Sequence, residues 1–220
     1  MKIKEVLIQC PLFNGFNCDD ISEILSTIPY RIENYKANEI YTLAGMPCKY
    51  ADFIIDGEMI ARMVGLSGKL VQIDRLTVGT LIAPAFIFAK KNEFPVGVET
   101  SKPTTILRIQ PSDLKHLIDT DERIRMNFIQ QLSNINVFLS SKLRTLSLLT
   151  VREKIAYFLL KIAEQQQSRI ITLKHTRQEI ADMFGIQKFS LIRCLSEFEK
   201  NGAIEIDGKK IIIINSDKMK

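Results

Sequence analysis

The segment Thr176–Asn201, with the sequence TRQEIADMFGIQKFSLIRCLSEFEKN, most constrains what this chain can fold into. Thr176, followed three residues later by Glu179, forms the sequence pattern of a capping box, which predicts where a first helix begins. Gly185 stands between two apolar repeats and predicts a tight turn between two short helices. This spacing is typical of a helix-turn-helix, whose second helix points its N-terminal residues at DNA bases in the major groove. Short helices joined by a glycine also occur in ordinary helical bundles.

The charge distribution agrees with a nucleic-acid partner. The chain has 30 Lys and Arg against 25 Asp and Glu, which gives a net charge of +5. Residues 148–220 hold 13 of the basic and nine of the acidic side chains, so most of the excess accompanies the helix-turn-helix. Such an excess is common on solvated surfaces, and it indicates DNA only because it coincides with this motif.

Several other classes of protein are disfavoured. No stretch approaches the length of a membrane span, so we expect a soluble, cytoplasmic protein. The four cysteines form no CxxC pair and no spacing typical of zinc or an iron-sulfur cluster, so we expect no metal site and reduced, mostly structural thiols. No nucleophile, metal set or paired acid and base is visible, which disfavours an enzyme. The cysteines are Cys10, Cys18, Cys48 and Cys194.

Residues 30–109 have the pattern of a β-domain. Short runs rich in β-branched and aromatic residues alternate with turn sequences such as AGMP, DG and SG, which indicates a sandwich or jelly roll. Two short helices, Ile3–Cys10 and Asp20–Ile28, are predicted before it. The predicted strands are Tyr30–Lys36, Glu39–Leu43, Ala51–Ile55, Met59–Val64, Leu70–Val78, Val96–Thr100 and Thr104–Ile109.

A long helix is predicted at Asp121–Leu146, because apolar residues recur there at steps of three or four. The stripe either packs against neighbours in its own chain or pairs with the same helix of a second chain along a coiled-coil-like seam. We favour the second alternative and predict a homodimer, since a twofold axis would place two recognition helices about one DNA turn apart. The predicted interface residues are Ile124, Phe128, Leu132, Ile135, Leu139 and Leu143.

The C-terminal part is predicted to be a winged helix. A helix at Thr150–Glu164 and a strand at Ile170–Leu173 precede the helix-turn-helix, and Ile204–Ile206 and Ile211–Ile214 form a hairpin around an Asp-Gly turn. Lys209 and Lys210 lie near its tip, where they are either phosphate contacts or simply solvated. The predicted fold class is α+β, with a β-roll sensor domain at 1–120, a dimerisation helix at 121–147 and a winged-helix DNA-binding domain at 148–220.

This order of elements, together with TRQEIADMFGI and SLIRCL, resembles the cyclic-AMP receptor and FNR (CRP/FNR) family of bacterial transcription regulators over nearly the whole chain. The resemblance implies a DNA-binding regulator, with RNA polymerase as a further candidate partner. By this resemblance Arg177, Gln178 and Ser190 match phosphate or backbone contacts, and Arg193 matches the base-reading arginine. Lys188 and Phe189 stand where many members have Arg-Glu, so the DNA target should differ from theirs. The predicted DNA-binding residues are Arg177, Gln178, Gln187, Lys188, Phe189, Ser190 and Arg193.

The β-domain departs from the family's cyclic-nucleotide motif. Ala83-Pro84 replaces a Gly-Glu that holds the ribose, and Phe94-Pro95 replaces the arginine pair that holds the cyclic phosphate. The resemblance therefore implies that cyclic AMP is not the effector, and that the domain either senses something else or has lost the ability to sense. Any small effector is expected in an apolar pocket lined by Leu81, Ile82, Pro84, Phe86, Phe88, Phe94 and Val96.

LIAPAFIF and NEFPVGV are similar to a branch of regulators of the hybrid cluster protein, which respond to nitrosative stress and some of which bind haem. The same apolar residues are equally explained as β-roll packing. Haem is a candidate cofactor, and His116, Met46 and Cys48 are the candidate axial ligands. The alternative function is a protein-interaction adaptor that uses the β-roll and has no small-molecule effector.

Overall fold

The computed structural model describes residues 3–65 and 70–219, with only the backbone described for Leu70. These residues form two compact units. The N-terminal unit comprises residues 3–65 and 72–138, and the C-terminal unit comprises residues 139–219 with residues 70–71. The predicted turn at Ser67–Gly68 lies outside the described residues.

The N-terminal unit begins with two helices, α1 at Ile3–Leu7 and α2 at Cys18–Thr27, with a 3-10 turn at Pro11–Phe13 between them. The second helix begins two residues before the predicted start because Asn17 caps it. Asn17 Oδ1 accepts hydrogen bonds from the backbone amides of Asp19 and Asp20 at 2.8 and 2.9 Å. The cap pairs backbone amides of the first turn, and the spacing of apolar residues does not show where this turn begins.

Antiparallel strands form two sheets around the N-terminal core. One sheet has the order β1-β7-β3 and the other has the order β2-β6-β4-β5. Their buried apolar side chains form a single core, which confirms the predicted β-roll, and every strand bound agrees with the prediction to within one residue. The strands are β1 Arg31–Tyr35, β2 Ile40–Thr42, β3 Ala51–Asp56, β4 Glu58–Val64, β5 Leu70–Thr77, β6 Gly97–Thr100 and β7 Thr104–Ile109.

Sequence reasoning missed a short helix, α3 at Pro84–Ile87. Ala83, just before it, adopts the left-handed region with φ 51° and ψ 42°. A residue with a Cβ pays roughly 1–2 kcal/mol for that conformation. Pro84 fits the first helical position, because its missing N–H would be unpaired there in any case. The proline was the one local signal for this helix.

Two further helices follow, α4 at Pro111–Thr120 and α5 at Glu122–Leu148. Asp121 fixes the start of α5, because its Oδ1 accepts from the backbone amides of Arg123 at 2.8 Å and Ile124 at 3.3 Å. The helix ends two residues beyond the predicted bound. Among the helices that the structure describes, none combines the length and apolarity that crossing a bilayer requires.

The C-terminal unit is a winged helix, as predicted. After α6 at Val151–Gln166, the antiparallel strands pair in the order β8-β10-β9 and pack with the helices on one apolar core. The Asp-Gly turn joins the last two strands, and Gly208 has φ 58° there. The remaining elements are β8 Ile170–Thr172, α7 Arg177–Phe184, α8 Lys188–Lys200, β9 Ile204–Asp207 and β10 Lys210–Ile213.

A buried carboxylate links the two sheets of the N-terminal unit. Asp52 on β3 is 0% exposed, and its carboxylate accepts hydrogen bonds from Arg108 on β7, from Nε at 2.9 Å and from Nη2 at 2.7 Å. Tyr41, on β2 of the other sheet, donates its hydroxyl to Asp52 Oδ2 at 2.6 Å. The Arg108 guanidinium also lies 4.4 Å from the centre of the Tyr50 ring. A buried carboxylate is tolerated here because its oxygens are paired and hydrogen-bonded.

We predict that Tyr41→Phe lowers the free energy of unfolding by roughly 1.5–3 kcal/mol, the range for a hydrogen bond to a charged group. Burial, and then the Asp52 charge, raise the pKa of Tyr41 above its ordinary value of 10.0. The folded protein therefore keeps a proton that the unfolded chain releases, so this contribution is present below pH 10 and is lost as the pH rises further. Urea unfolding at pH 7.5 and at pH 10.5 measures both effects.

Tyr30→Phe is the matched control, because that ring is 41% exposed. The control should stay within about 0.5 kcal/mol of the unchanged protein, as surface substitutions do. Equal stabilities for the two variants would contradict the role given to the Tyr41 hydroxyl.

Candidate nucleic-acid interface

The start of α7 is held by the predicted capping box. Thr176 Oγ1 accepts from the backbone amide of Glu179 at 3.2 Å, and Glu179 Oε2 accepts from the Thr176 amide at 2.7 Å. The end of α7 is held by Gly185, whose φ of 57° turns the chain while Ile186 N donates to Ala181 O at 3.0 Å. Both ends are therefore fixed locally, as the sequence predicts.

Helix α8 has one buried face and one exposed face. The buried side chains pack on the core of the C-terminal unit, and burial raises the pKa of the Cys194 thiol to about 11. The side chains on the opposite face, including the start of the helix, are exposed. The buried residues are Leu191, Cys194, Leu195 and Phe198; the exposed ones include Lys188, Phe189, Ile192 and Arg193.

Arg193 is free to reach a partner. Its side chain is 82% exposed, and Nε lies 3.5 Å from Glu197 Oε1 one turn later. Arg152 Nη1 lies 3.9 Å from the other oxygen of Glu197, and the Arg152 guanidinium stacks 4.6 Å from the centre of the Phe198 ring. This arrangement holds Glu197 between two arginines and orients the Arg193 side chain along the exposed face. An exposed pair of this kind is weak and can open when a better acceptor is offered.

The other predicted contact residues flank the same helix pair. Arg177 is the first residue of α7 and is partly buried, which lowers its pKa. Gln178 is exposed and donates to Asp182 Oδ1 at 2.9 Å. Gln187 precedes α8 as its N-cap without a side-chain hydrogen bond to the helix, and Ser190 lies half-buried in the first turn. Lys209 and Lys210 are exposed in the wing.

The predicted effector segment packs into the N-terminal core. Leu81, Ile82, Pro84 and Phe94 are buried, and Phe86 and Val96 contact the same core. This packing is the alternative left open by the sequence. Phe88 is half-exposed and makes an edge contact with Phe128 on α5, with ring centres 5.9 Å apart. The segment is thereby joined to the long helix.

The candidate haem ligands do not form a ready site. His116 is exposed on α4, and Met46 is half-exposed in the turn whose backbone pairs with Phe94. Cys48 is buried, and burial together with Asp52 raises its pKa to about 11, which disfavours the thiolate that binds iron. Among the residues that the structure describes, no three His, Cys, Asp or Glu are grouped for a metal ion.

A cleft of about 530 Å³ in the N-terminal unit was not foreseen from the sequence. It lies between the segment that follows α1 and one side of α5. Both elements contribute carboxamide side chains to its walls. These residues are scattered along the sequence, so no motif indicates the cleft. Residues lining it include Gln9, Asn14, Asn127, Gln130, Gln131 and Asn134.

The structure divides the predicted dimer stripe of α5 into two parts. Ile124 and Phe128 are 0% and 7% exposed and belong to the chain's own core, against which Leu132 also packs. Ile135 is partly buried, whereas Leu139 and Leu143 are 41% and 65% exposed. The chain thus covers the beginning of the stripe and leaves its end free. Other apolar side chains of α5 are also exposed, namely Met126, Ile129, Val137, Phe138 and Leu148.

Comparison with protein families gives one match, which lies within the C-terminal unit. Residues 153–220 match the model described as a Crp-like helix-turn-helix domain. The match covers the helix pair, the turn and the wing described above. It includes the exposed face of α8.

Similarity extends beyond that domain. The cAMP-activated global transcriptional regulator CRP of Haemophilus influenzae is 24% identical over 186 residues, which is 83% of this chain and 83% of the relative. The c-di-GMP responsive global regulator CLP of Xanthomonas campestris has a similar structure, with a TM-score of 0.71 and 18% identity over 90% of this chain and 100% of that chain. A CooA variant from Carboxydothermus hydrogenoformans has a TM-score of 0.70 and 17% identity, covering 86% of both chains. The two structural likenesses show the fold.

Proposed function

We propose that this chain is a DNA-binding transcription regulator of the CRP/FNR family, and that it acts as a homodimer that recognises a specific DNA sequence through the exposed face of α8. The observation that carries the proposal is the arrangement of the Crp-like domain. Its recognition helix is packed by one face and offers Arg193 and the first turn on the other. The Crp-like domain and the similarity to a transcription regulator from Haemophilus influenzae support the proposal that the chain is a regulator and not an enzyme.

In the proposed mechanism, the N-terminal half of α8 enters the major groove. Arg193 has the length and the planar donors to bind guanine bidentately. Arg177, Gln178 and Ser190 are proposed to bind the sugar-phosphate backbone and to fix the position of the helix without reading sequence. The exposed wing lysines add phosphate contacts. RNA polymerase is a further proposed partner, and the cytoplasm, where its DNA lies, is the proposed location.

We propose that two chains associate along the free apolar side chains of α5. The apolar side chains of this helix that are at least 41% exposed in the single chain include Ile129, Val137, Leu139 and Leu143. Covering them with the same helix of a second chain would remove this apolar surface from water. Ile124 and Phe128, buried in the N-terminal core, would hold the first part of α5 in place for this association.

We propose that the N-terminal unit responds to an effector other than cyclic AMP. The cyclic phosphate carries a negative charge, and burying it without a paired cation costs several kcal/mol. The segment 81–98 contains no arginine, and one of its two lysines, Lys91, is exposed and lies 3.1 Å from Glu93. Pro84 also has no amide to donate. The relative from Haemophilus influenzae is cAMP-activated by name, so the two proteins would differ in effector.

We also propose that nitrosative or redox stress controls this regulator through the apolar segment 81–94. Its contact with α5 through Phe88 and Phe128 supplies a physical route from that segment to the helix that would carry the dimer seam. No part of the proposed function depends on haem. The adaptor alternative is less favoured, since the Crp-like domain accounts for the exposed cationic face without a protein partner.

The homodimer is tested by Ile129→Lys combined with Leu143→Lys. Both side chains are at least half-exposed in the single chain, so the unit should still fold, but two unpaired ammonium groups would be buried in the seam. Light scattering should give the unchanged protein twice the 25.1 kDa chain mass and the variant the single chain mass. Asn134→Lys with Ser141→Lys, at exposed polar positions of α5, should remain dimeric. A folded dimer for the first variant would refute the seam.

Sequence reading is tested by comparing Arg193→Ala with Arg177→Ala. Loss of a bidentate guanine contact should cost roughly 1–3 kcal/mol on the specific site and little on random DNA. Loss of a phosphate contact should weaken both and reduce the slope of log affinity against log salt by about one. Fluorescence anisotropy over a salt series distinguishes the two. Equal losses on all sequences for Arg193→Ala would make it a backbone contact, and absence of a salt slope would favour the adaptor alternative.

The effector proposal is tested by titrating cyclic AMP into the full chain in a calorimeter. We expect no binding heat up to about millimolar ligand, where any remaining affinity would be weaker than about −4 kcal/mol. The regulator from Haemophilus influenzae, measured in the same buffer, is the positive control. Saturable micromolar binding to this chain would show that another cation replaces the missing arginine and would contradict the proposal.

A further inference from the structure

The exposed surface of Phe189 is unusual for its residue type. Phe189 is 85% exposed, the highest value for a large apolar side chain among the residues that the structure describes. Phe184 and Phe198, at the ends of the same helix pair, are buried in the core. A phenyl ring left in water at this level gains nothing for the fold, since its apolar surface stays hydrated.

The ring is placed where a DNA partner would cover it. Phe189 is the second residue of α8, so it lies in the first turn of the proposed recognition helix. Arg193 follows one turn later on the same side, and Ile192, 42% exposed, lies beside both. Four residues of α-helix span about 6 Å, which corresponds to about two base steps of 3.4 Å. The two side chains can therefore meet bases that lie within about two steps of each other.

The chemistry of the groove leaves one good partner for the ring. A phenyl group can neither donate to guanine or thymine oxygens nor accept from cytosine or adenine amino groups. Among the edges of the four base pairs in the major groove, only thymine presents a methyl group, which an apolar side chain can contact. Contact with phosphate would desolvate the anion and return no hydrogen bond.

We infer that Phe189 is a specificity-determining residue that reads the methyl group of a thymine, within about two base steps of the base pair read by Arg193. This inference rests on the proposed function and names the chemistry of its DNA target. The apolar contact replaces hydrogen-bonded readout at this position. It predicts that each half-site contains thymine near guanine, in an orientation set by the direction of α8.

The experiment begins with sequences selected from random DNA by the full-length chain. Each thymine of the selected site is then replaced singly by deoxyuridine, which has the same hydrogen-bonding atoms and lacks the methyl group. Fluorescence anisotropy measures the affinity of the unchanged protein and of Phe189→Ala for every duplex. Phe189→Leu, which keeps an apolar side chain, and Ser196→Ala, at an exposed position further along α8, are the comparison variants.

We expect one thymine per half-site to be sensitive. Removing its methyl group should weaken binding by the unchanged protein roughly fourfold, the equivalent of one methyl group buried from water. Phe189→Ala should bind the thymine and uracil duplexes equally, Phe189→Leu should retain part of the difference, and Ser196→Ala should retain all of it. The sensitive thymine should lie within about two base steps of the base pair whose preference is lost in Arg193→Ala.

Two results would overturn the inference while leaving the proposed function intact. One is sequence-specific binding in which no uracil substitution matters, and the other is a penalty that persists unchanged in Phe189→Ala. A chain that binds DNA without any sequence preference would instead overturn the proposed function, and this inference with it. Because the ring is exposed, Phe189→Ala should fold normally, which circular dichroism checks.

Discussion

The N-terminal unit depends on the pairing of one buried carboxylate, that of Asp52. This carboxylate receives Arg108 from the neighbouring strand of its own sheet and the Tyr41 hydroxyl from the other sheet. Tyr41 also makes an edge contact with Phe94, with ring centres 6.0 Å apart, at the end of the predicted effector segment. An unpaired charge in this position would be costly, so strands, tyrosine and segment are held in one arrangement. Any ligand acting on this segment would have to work against that constraint.

In the C-terminal unit, one face of α8 is packed on the core while the opposite face stays exposed. The capping box at Thr176 and the left-handed Gly185 fix the ends of α7. Leu191, Leu195 and Phe198 hold α8 by packing in the core of the unit. These contacts supply the stability, so the exposed residues are free to be chosen for recognition. Phe189 is 85% exposed and contributes nothing to the core, and the inferred contact with a thymine methyl group would account for its presence.

Helix α5 is likewise divided between two uses. Ile124 and Phe128 hold it on the N-terminal unit, and Phe128 also receives Phe88 from the effector segment. The free apolar side chains point elsewhere on the same helix, where a second chain can cover them. A change at Phe88 would therefore be felt by a residue within one or two turns of the proposed seam. This proximity would give the proposed effector a short physical route to the geometry of the proposed dimer.

The sequence by itself determined the features that depend on local chemistry. The capping box at Thr176, the turn at Gly185, the Asp-Gly hairpin and the positions of the β-roll strands along the chain follow from preferences that the residues carry with them. Only the tertiary structure decided which side of α5 is free, because an apolar stripe has the same period whether its own chain or another covers it. The helix at Pro84–Ile87 was missed because its proline is the one local signal for it. The Asp52 ion pair and the cleft beside α5 were hidden because they depend on residues far apart in sequence meeting in space.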